Sequence, residues 1–482
     1  MQLSSGLLQA TKPEYSAHIT LTLRQKQAAG VLGLLLVLGF VMMHWLFLPV
    51  LAGAVITLYA AVVIFRIYVT VRGSKSEDLI KVTPQEVARL HAFPMYTILL
   101  PLYREAGVLP QLVEACSNLD YPTSKLDIKL LLEEDDTDTR ETVARTKLPP
   151  YFDVIVVPAE GSRTKPKACN YGLMFAKGEY SVIYDAEDIP APDQLKKAIA
   201  VFRRTRSDVG CVQAKLNYYN PRQNLLTRWF ALEYSSWFEF FLPGLVDLGL
   251  PVPLGGSSNH FPTVLLERLG AWDPNNVTED ADLGMRLHRA GYQTALMDST
   301  TLEEANSDFV NWMRQRSRWG KGYFMSWLVL VRHPMRLYRD VGWRGFFAMN
   351  LVLGGTFGVA LLNLLVWMLT LLWALAQFEV IGYWFPTGIY YIGMLELLFG
   401  NFYFMYMGMW AAYHRGDYDL THAGLLAPAY WLMASLAMIK AALQTATKPT
   451  FWEKTVHGLF ETGDLHPAAE IVGRARERDS AS

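Results

Sequence analysis

The sequence predicts a mostly parallel α/β domain inserted between transmembrane α-helices. Three observations predict it. Uncharged runs stand near both ends of the chain, at residues 27–65 and again from residue 345 onward. Between them, short apolar runs alternate with helical patterns, the order that builds a parallel sheet. Several of those apolar runs lead straight into acids, and parallel sheets bind ligands at the carboxyl ends of their strands. Composition agrees: the 482 residues are 51% hydrophobic and only 18% charged, against about 25% charged in an average soluble protein. The net charge of −1 gives no field for a polyanion, which excludes nucleic acid as a partner. The three cysteines (Cys116, Cys169, Cys211) lack the spacing of a disulfide framework or a metal site and fit a reducing, cytosolic compartment.

At about 20 residues per crossing, residues 27–65 make two membrane helices. Pro49 is the natural break, which predicts spans over 28–47 and 50–68 within an N-terminal unit of residues 1–72. Lys12, Arg24 and Lys26 precede the pair, and Arg66, Arg72 and Lys75 follow it, so both ends are expected in the cytosol. The polar leader is long and has no small-residue cleavage site, which argues against a signal peptide. Residues 73–322 read as the cytosolic domain. Strands are predicted over 96–101, 126–132, 152–157 and 180–184, and helices over 108–119, 136–147 and 167–176. Asp136 or Thr137 is the expected cap of the second helix. Residues 323–343 are too charged to span and suit a helix lying in the membrane surface. Membrane helices are expected again in 344–447, from the apolar runs 345–378, 380–413 and 420–439, followed by a cytosolic tail over 448–482. Three spans there would leave the basic tail outside, so an even number is expected, with either a break at Gly354–Gly355 or one re-entrant segment.

Glu105 follows the first strand. Glu133, Glu134, Asp135, Asp136 and Asp138 follow the second, and Asp185, Glu187 and Asp188 follow the fourth. Carboxylates gathered at one sheet edge repel unless a cation or donors are present. Mg²⁺ or Mn²⁺ carrying a diphosphate is the simplest occupant, because such ions use one or two carboxylates together with substrate phosphates.

In their order these motifs resemble those of membrane-bound glycosyltransferases of family 2, of the kind that includes bacterial cellulose, hyaluronan and related exopolysaccharide synthases. The resemblance covers about residues 95–320. It rests on PLYRE (101–105), the acid pair 133–134, Asp185-Ala186-Glu187 in place of an Asp-x-Asp motif, Thr278-Glu279-Asp280, and QRSRW (315–319). It implies a GT-A-like, Rossmann-like sheet and an inverting transfer from a nucleotide sugar. Pro101, Tyr103, Glu105, Glu134, Asp136 and Lys167 are then implied at the donor, with Arg316 and Arg318 near its diphosphate. Asp185 and Glu187 are implied as ligands of Mg²⁺ or Mn²⁺, and Asp280 as the base that deprotonates the acceptor hydroxyl. Gly256, Ser257, Glu279, Gln315 and Trp319 are implied at the acceptor, with Trp319 as a platform under a sugar. The chain departs from the family by placing Glu where two of its aspartates stand.

Two readings follow. The first is a processive synthase that polymerises a β-linked glycan, with UDP-glucose the expected donor, and passes the growing chain through the membrane. The alternative is a non-processive enzyme acting on a lipid-linked acceptor. Either places the protein in the bacterial plasma membrane as a multi-pass protein with a cytosolic catalytic domain. The segment FWEKT after the last span is expected near the mouth of the site. Protein partners are not legible in the sequence.

Overall fold

The computed structural model describes residues 2–76, 78–161, 163–376, 383–449 and 451–454. Leucine- and isoleucine-rich runs without polar alternation suit strands covered on both faces, and Ile98, Leu99, Leu100, Ile128, Leu130 and Leu131 are fully buried. The strands are β1 (Leu79–Ile80), β2 (Tyr96–Leu102), β3 (Leu126–Glu133), β4 (Phe152–Val157), β5 (Tyr180–Ile183), β6 (Ile189–Pro190), β7 (Val209–Tyr218), β8 (Asn259–Pro262) and β9 (Gln293–Glu303). They form one sheet in the order β1-β9-β7-β8-β5-β2-β3-β4, with β6 on β9. Two parallel blocks, β5-β2-β3-β4 and β7-β9-β1, are joined through the antiparallel β8. The carboxyl ends of β2, β3, β5 and β9 and the loop entering β8 therefore open onto one edge.

The four strands expected from the sequence agree with β2 to β5 within a residue at each end, and the helices between them are Leu109–Ser117, Thr137–Arg145 and Lys165–Leu173. The last begins two residues earlier than expected because Pro166 fits a first helical turn.

The apolar N-terminal segment is helical over Leu23–Gly73 except at Met43, where φ is −141° and ψ 42°. A methyl group on Gly39 would stand 2.5 Å from the Phe47 ring, whereas residues eight apart on a straight helix are about 12 Å apart. The chain therefore folds back as a hairpin. The turn falls at Met43, ahead of the expected Pro49. The leader packs on the α/β domain, with Leu8 and Ala17 buried and the Ser16 hydroxyl donating to Asp273 at 3.2 Å. Both ends of the hairpin thus lie on the domain's side.

By length and composition, three helical segments among the described residues are suited to crossing a membrane: Leu23–Gly73, Pro334–Leu372 and Tyr418–Thr447. A further helical run, Thr387–Leu395 continuing through Asn401–His414, lies between the last two. No break occurs at Gly354–Gly355. The backbone widens there into a π turn, Asn350–Gly355, and continues as Thr356–Ala376, so the expected division into two short spans does not occur. The tail over 455–482 lies outside the described residues.

The helix Phe309–Leu330 carries QRSRW across the expected domain boundary at residue 322 without interruption. Its two glycines permit close approach on opposite sides. A Cβ on Gly322 would meet the Thr278 hydroxyl at 2.3 Å, and one on Gly320 would meet the Met438 sulfur at 2.2 Å. Ion pairs also join the domain to the C-terminal helices: Arg415 meets Glu239 at 2.6 Å, and Glu239 is shared with Lys215 at 3.1 Å. Removing Arg415 leaves Glu239 with Lys215 alone. Arg415→Ala is therefore expected to destabilise the protein by about 1.5–3 kcal/mol, the size of a lost charge-assisted hydrogen bond, read as a lower Tm in detergent, with Arg415→Lys recovering part of the loss.

Candidate active site

A cavity of about 640 Å³ opens at this sheet edge. Its upper wall carries Tyr103, Glu105, Glu133, Asp185, Glu187 and Glu303, each at or just beyond a strand end. The same cavity continues between the N-terminal hairpin and the C-terminal helices, where Val62, Val63, Phe357, Ala360, Phe404 and Met405 line it.

The acids crowd around one lysine. Lys165, in the first turn of its helix, pairs with Asp185 and donates to the Gly256 carbonyl at 2.7 Å. Burial opposes its charge, yet Asp185 and then Glu279 hold the ammonium well above its ordinary value. Asp188 lies beneath, fully buried, accepting from the Asp185 N–H at 2.9 Å. Asp188 and Glu303 are both pushed well up, first by burial and then by the neighbouring acids. Lys165 and Glu303 were not anticipated. Lys165 sits within SRTKPKACN, where the spacing gave no reason to prefer it over Lys167. Glu303 ends a strand too polar to be seen as one.

The set fits a hard divalent cation. Asp188 Oδ1 is buried with no partner among the described residues, and the surrounding carboxylates outnumber the nearby cations. No cage of three ligating side chains exists among the described residues. A cation there takes its remaining oxygens from elsewhere, as ions held by one or two carboxylates and a substrate phosphate do.

Asp280 faces this group across Gly256. A methyl on Gly256 would stand 3.6 Å from Asp280 Oδ2 and 3.8 Å from Asp185 Oδ2, so both carboxylates face the same point beside this residue. Asp280 lies in the first turn of the helix Glu279–Arg289 and accepts from the Ala281 N–H at 2.8 Å. Burial raises its carboxyl, while Ala281, Lys165 and Arg318 pull it down. Glu279 is pushed up to about 7 by burial and by Asp280. The loop before β8 is held by Gln213, which accepts from the Gly255 N–H at 2.8 Å and donates to the Ser257 carbonyl at 3.1 Å.

Several expected contacts fall elsewhere. Glu134 turns outward to the Ala159 N–H at 3.0 Å; strand alternation aims Glu133 into the cavity instead. Lys167 is buried against Glu133 at 3.4 Å and supports that acid rather than facing the cavity. Asp136 does not line the cavity either. It caps the helix Thr137–Arg145 and holds the Arg104 N–H, where φ is 57°. With Thr139, which accepts from Glu105 N–H at 3.2 Å, it shapes the PLYRE loop. Ser257 is fully buried outside the lining. His260 is held in the core by the Tyr96 hydroxyl at 2.6 Å, and burial lowers its ring to about 3, so it is neutral.

Arg316 and Arg318 lie on opposite sides of their helix. Arg316 pairs with Glu233 and Tyr430 inside a box of Phe230, Trp312 and Trp319, so its charge is already used away from the acids. Arg318 points to the acids. Burial lowers it, and Glu279, Asp280 and Asp185 hold it up. Gln315 and Trp319 both line the cavity, and Trp319 is stacked 6.2 Å from Tyr234. Residues 451–454 cross the mouth: Trp452 lies 4.9 Å under Arg318, and Lys454 lies over the Tyr103 ring at 4.7 Å.

Models of "Glycosyl transferase family 2" and "Glycosyl transferase family group 2" match residues 97–257 and 181–414, a span that carries Asp185, Glu187, Asp280 and QRSRW. The chain belongs to glycosyltransferase family 2. Curated family relatives include "Probable glycosyltransferase YdaM" of Bacillus subtilis, 25% identical over 50% of this chain and 57% of that protein. The β-monoglucosyldiacylglycerol synthase of Nostoc is 26% identical over 51% of this chain and 53% of that protein. That of Synechocystis is 25% identical over 79% of this chain and 80% of that protein. The chain thus spans about half the length of the first two of these relatives. Among solved structures, the mannosyltransferase PcManGT of Pyrobaculum calidifontis, in complex with GDP-Man and Mn²⁺, superposes with a TM-score of 0.50 at 20% identity, covering 83% of this chain and 99% of that one. The sheet is of the GT-A type that this family shares.

Asp136→Ala removes a helix cap and frees the Arg104 N–H. We expect a stability loss of about 1 kcal/mol, read by thermal melting, together with a raised donor KM and a nearly unchanged kcat at saturation.

Proposed function

We propose that this protein transfers a hexosyl group from a nucleotide sugar to the hydroxyl of a lipid acceptor resident in the membrane. One observation carries the reading: the cavity runs unbroken from Asp185 and Asp280 into the apolar space between membrane helices. The aliphatic and aromatic side chains of that wall would cost a hydrated glycan much of its water, whereas acyl chains fit them. The diacylglycerol named in the relatives' descriptions supports the lipid acceptor over the growing polymer. Those relatives also support UDP-glucose as the donor, since their products carry glucose. The basic residues flanking the hairpin support a plasma-membrane protein whose catalytic domain faces the cytosol.

The acceptor oxygen attacks the anomeric carbon as the bond from that carbon to the diphosphate breaks. Asp280 takes the hydroxyl proton, and inversion follows from attack opposite the leaving group. Asp185 and Glu187 would hold a divalent cation, which when bound neutralises charge on the departing diphosphate. Arg318 adds a fixed positive charge on the same side, and Lys165 keeps Asp185 aimed at the site. Tyr103 and Glu105 form the donor-side wall, and Trp319 offers a flat apolar face to the acceptor side.

Asp280→Asn is expected to lower kcat about a hundredfold or more with donor binding near normal, measured by labelled-sugar transfer and by calorimetry. Lost donor binding with turnover retained at saturation would assign Asp280 to the donor site. Chelation should silence the wild type, and Mg²⁺ or Mn²⁺ should restore it. Transfer needs Asp280 ionised, and its carboxyl is raised. Activity is therefore present above that raised value and lost as pH falls through it, so the acid limb of kcat lies above the usual carboxylate range. Arg318→Gln removes a cation that favours the ionised form and should move the limb to higher pH. Product analysis on thin layers decides the acceptor: a discrete glycolipid supports the proposal, and a high-mass polymer rejects it.

A further inference from the structure

Where the cavity leaves the α/β domain, it passes a cation that no acid balances. Arg66 lies on the second arm of the N-terminal hairpin and lines the cavity. Its guanidinium sits 5.5 Å from the Phe241 ring centre and 5.8 Å from that of Phe404. Among the described residues no carboxylate pairs with it, and its N–H groups reach no acceptor. Glu396, the acid of a neighbouring membrane helix, forms no ion pair with it. The contrast within the molecule is sharp: Arg222, Arg286, Arg289, Arg316 and Arg415 each hold a carboxylate. Arginine cannot shed its proton to escape burial. Cation–π attraction steadies the group from the ring faces and leaves its N–H donors available.

We propose that Arg66 binds the phosphate of an anionic phospholipid, whose headgroup hydroxyl is the one presented to Asp280. This rests on the lipid-acceptor reading above. Its geometry is one of order along the cavity. Tyr323, Arg66 and Asp280 all line this one cavity. Val62 and Val63, one turn back on the same helix, begin the apolar wall with Phe357 and Met405. A lipid placed there has its chains against that wall, its phosphate at Arg66 and its polar end at Gly256. Guanidinium and phosphate match as a charge-assisted, two-point hydrogen-bonded pair. A neutral diacylglycerol would leave Arg66 unsatisfied.

The test uses the full chain in neutral detergent micelles, with dioctanoylphosphatidylglycerol, dioctanoylglycerol and inorganic phosphate as probes, read by equilibrium binding and by transfer from UDP-glucose. The wild type should bind the phospholipid at least about tenfold more tightly than the neutral lipid, the scale of a charge-assisted hydrogen bond. Arg66→Gln should remove that difference while leaving dioctanoylglycerol and UDP binding unchanged, and Arg66→Lys should restore part of it. Equal wild-type affinity for the two lipids overturns the proposal, and that comparison needs no variant to fold. Inorganic phosphate competing as well as the phospholipid would place the anion in solution and also overturn it. If the phospholipid binds through Arg66 but UDP-glucose yields no glycolipid, the site stands and the lipid-acceptor function falls.

Discussion

Excess negative charge at the end of the sheet is the constraint around which the site is arranged. Asp185, Glu187, Asp188, Glu279, Asp280 and Glu303 come from three separate stretches of chain, and burial strips them of the water that would keep them apart. Lys165 answers most directly, pairing with Asp185 while holding the Gly256 carbonyl. One ammonium thereby sets the acid that faces the donor and the glycine that faces the base. Arg318 adds the second positive charge from a different helix, and Asp188 holds the Asp185 backbone from below. The remaining imbalance is what gives the site its affinity for a divalent cation and a diphosphate.

Much of this was legible in the chain. Apolar runs ending in acids located β2, β3 and β5 and their loops, because buried parallel strands and charged strand ends leave contrasting composition. β7 and β9 were not seen, for the opposite reason. Their polar side chains are satisfied inside the fold, as where Lys215 on β7 meets Asp298 on β9 at 2.5 Å, so the pattern reads as exposed when it is not. Spacing alone could not choose between Glu133 and Glu134, Lys165 and Lys167, or Arg316 and Arg318. In each pair a residue or two separates a side chain turned to the acids' side of the cavity from one engaged by other partners, and the choice depends on where the element starts. The turn at Met43 was likewise hidden, since no residue type there marks it.

The two halves of the cavity demand different surroundings. Its upper wall consists of backbone loops tied by capping contacts, as at Asp136 and Gln213, which hold polar groups without moving parts. Its lower wall is made of aromatic and aliphatic side chains on membrane helices. The aromatic box around Arg316 lies between them, and by engaging Glu233 and Tyr430 it fastens domain to membrane beside the reacting atoms.

The glycines of the helix Phe309–Leu330 have a consequence for how such a molecule is inherited. One touches the loop that carries the base, and the next but one touches the last membrane helix. The soluble and membrane parts are therefore not exchangeable modules. A domain grafted onto another set of anchors would bring a helix whose second face expects Met438, and an anchor replaced alone would have to fit the same narrow approach at Gly320. Sequence drift in either part is constrained by the other through a single helix, and new acceptors can be reached only by altering the two together.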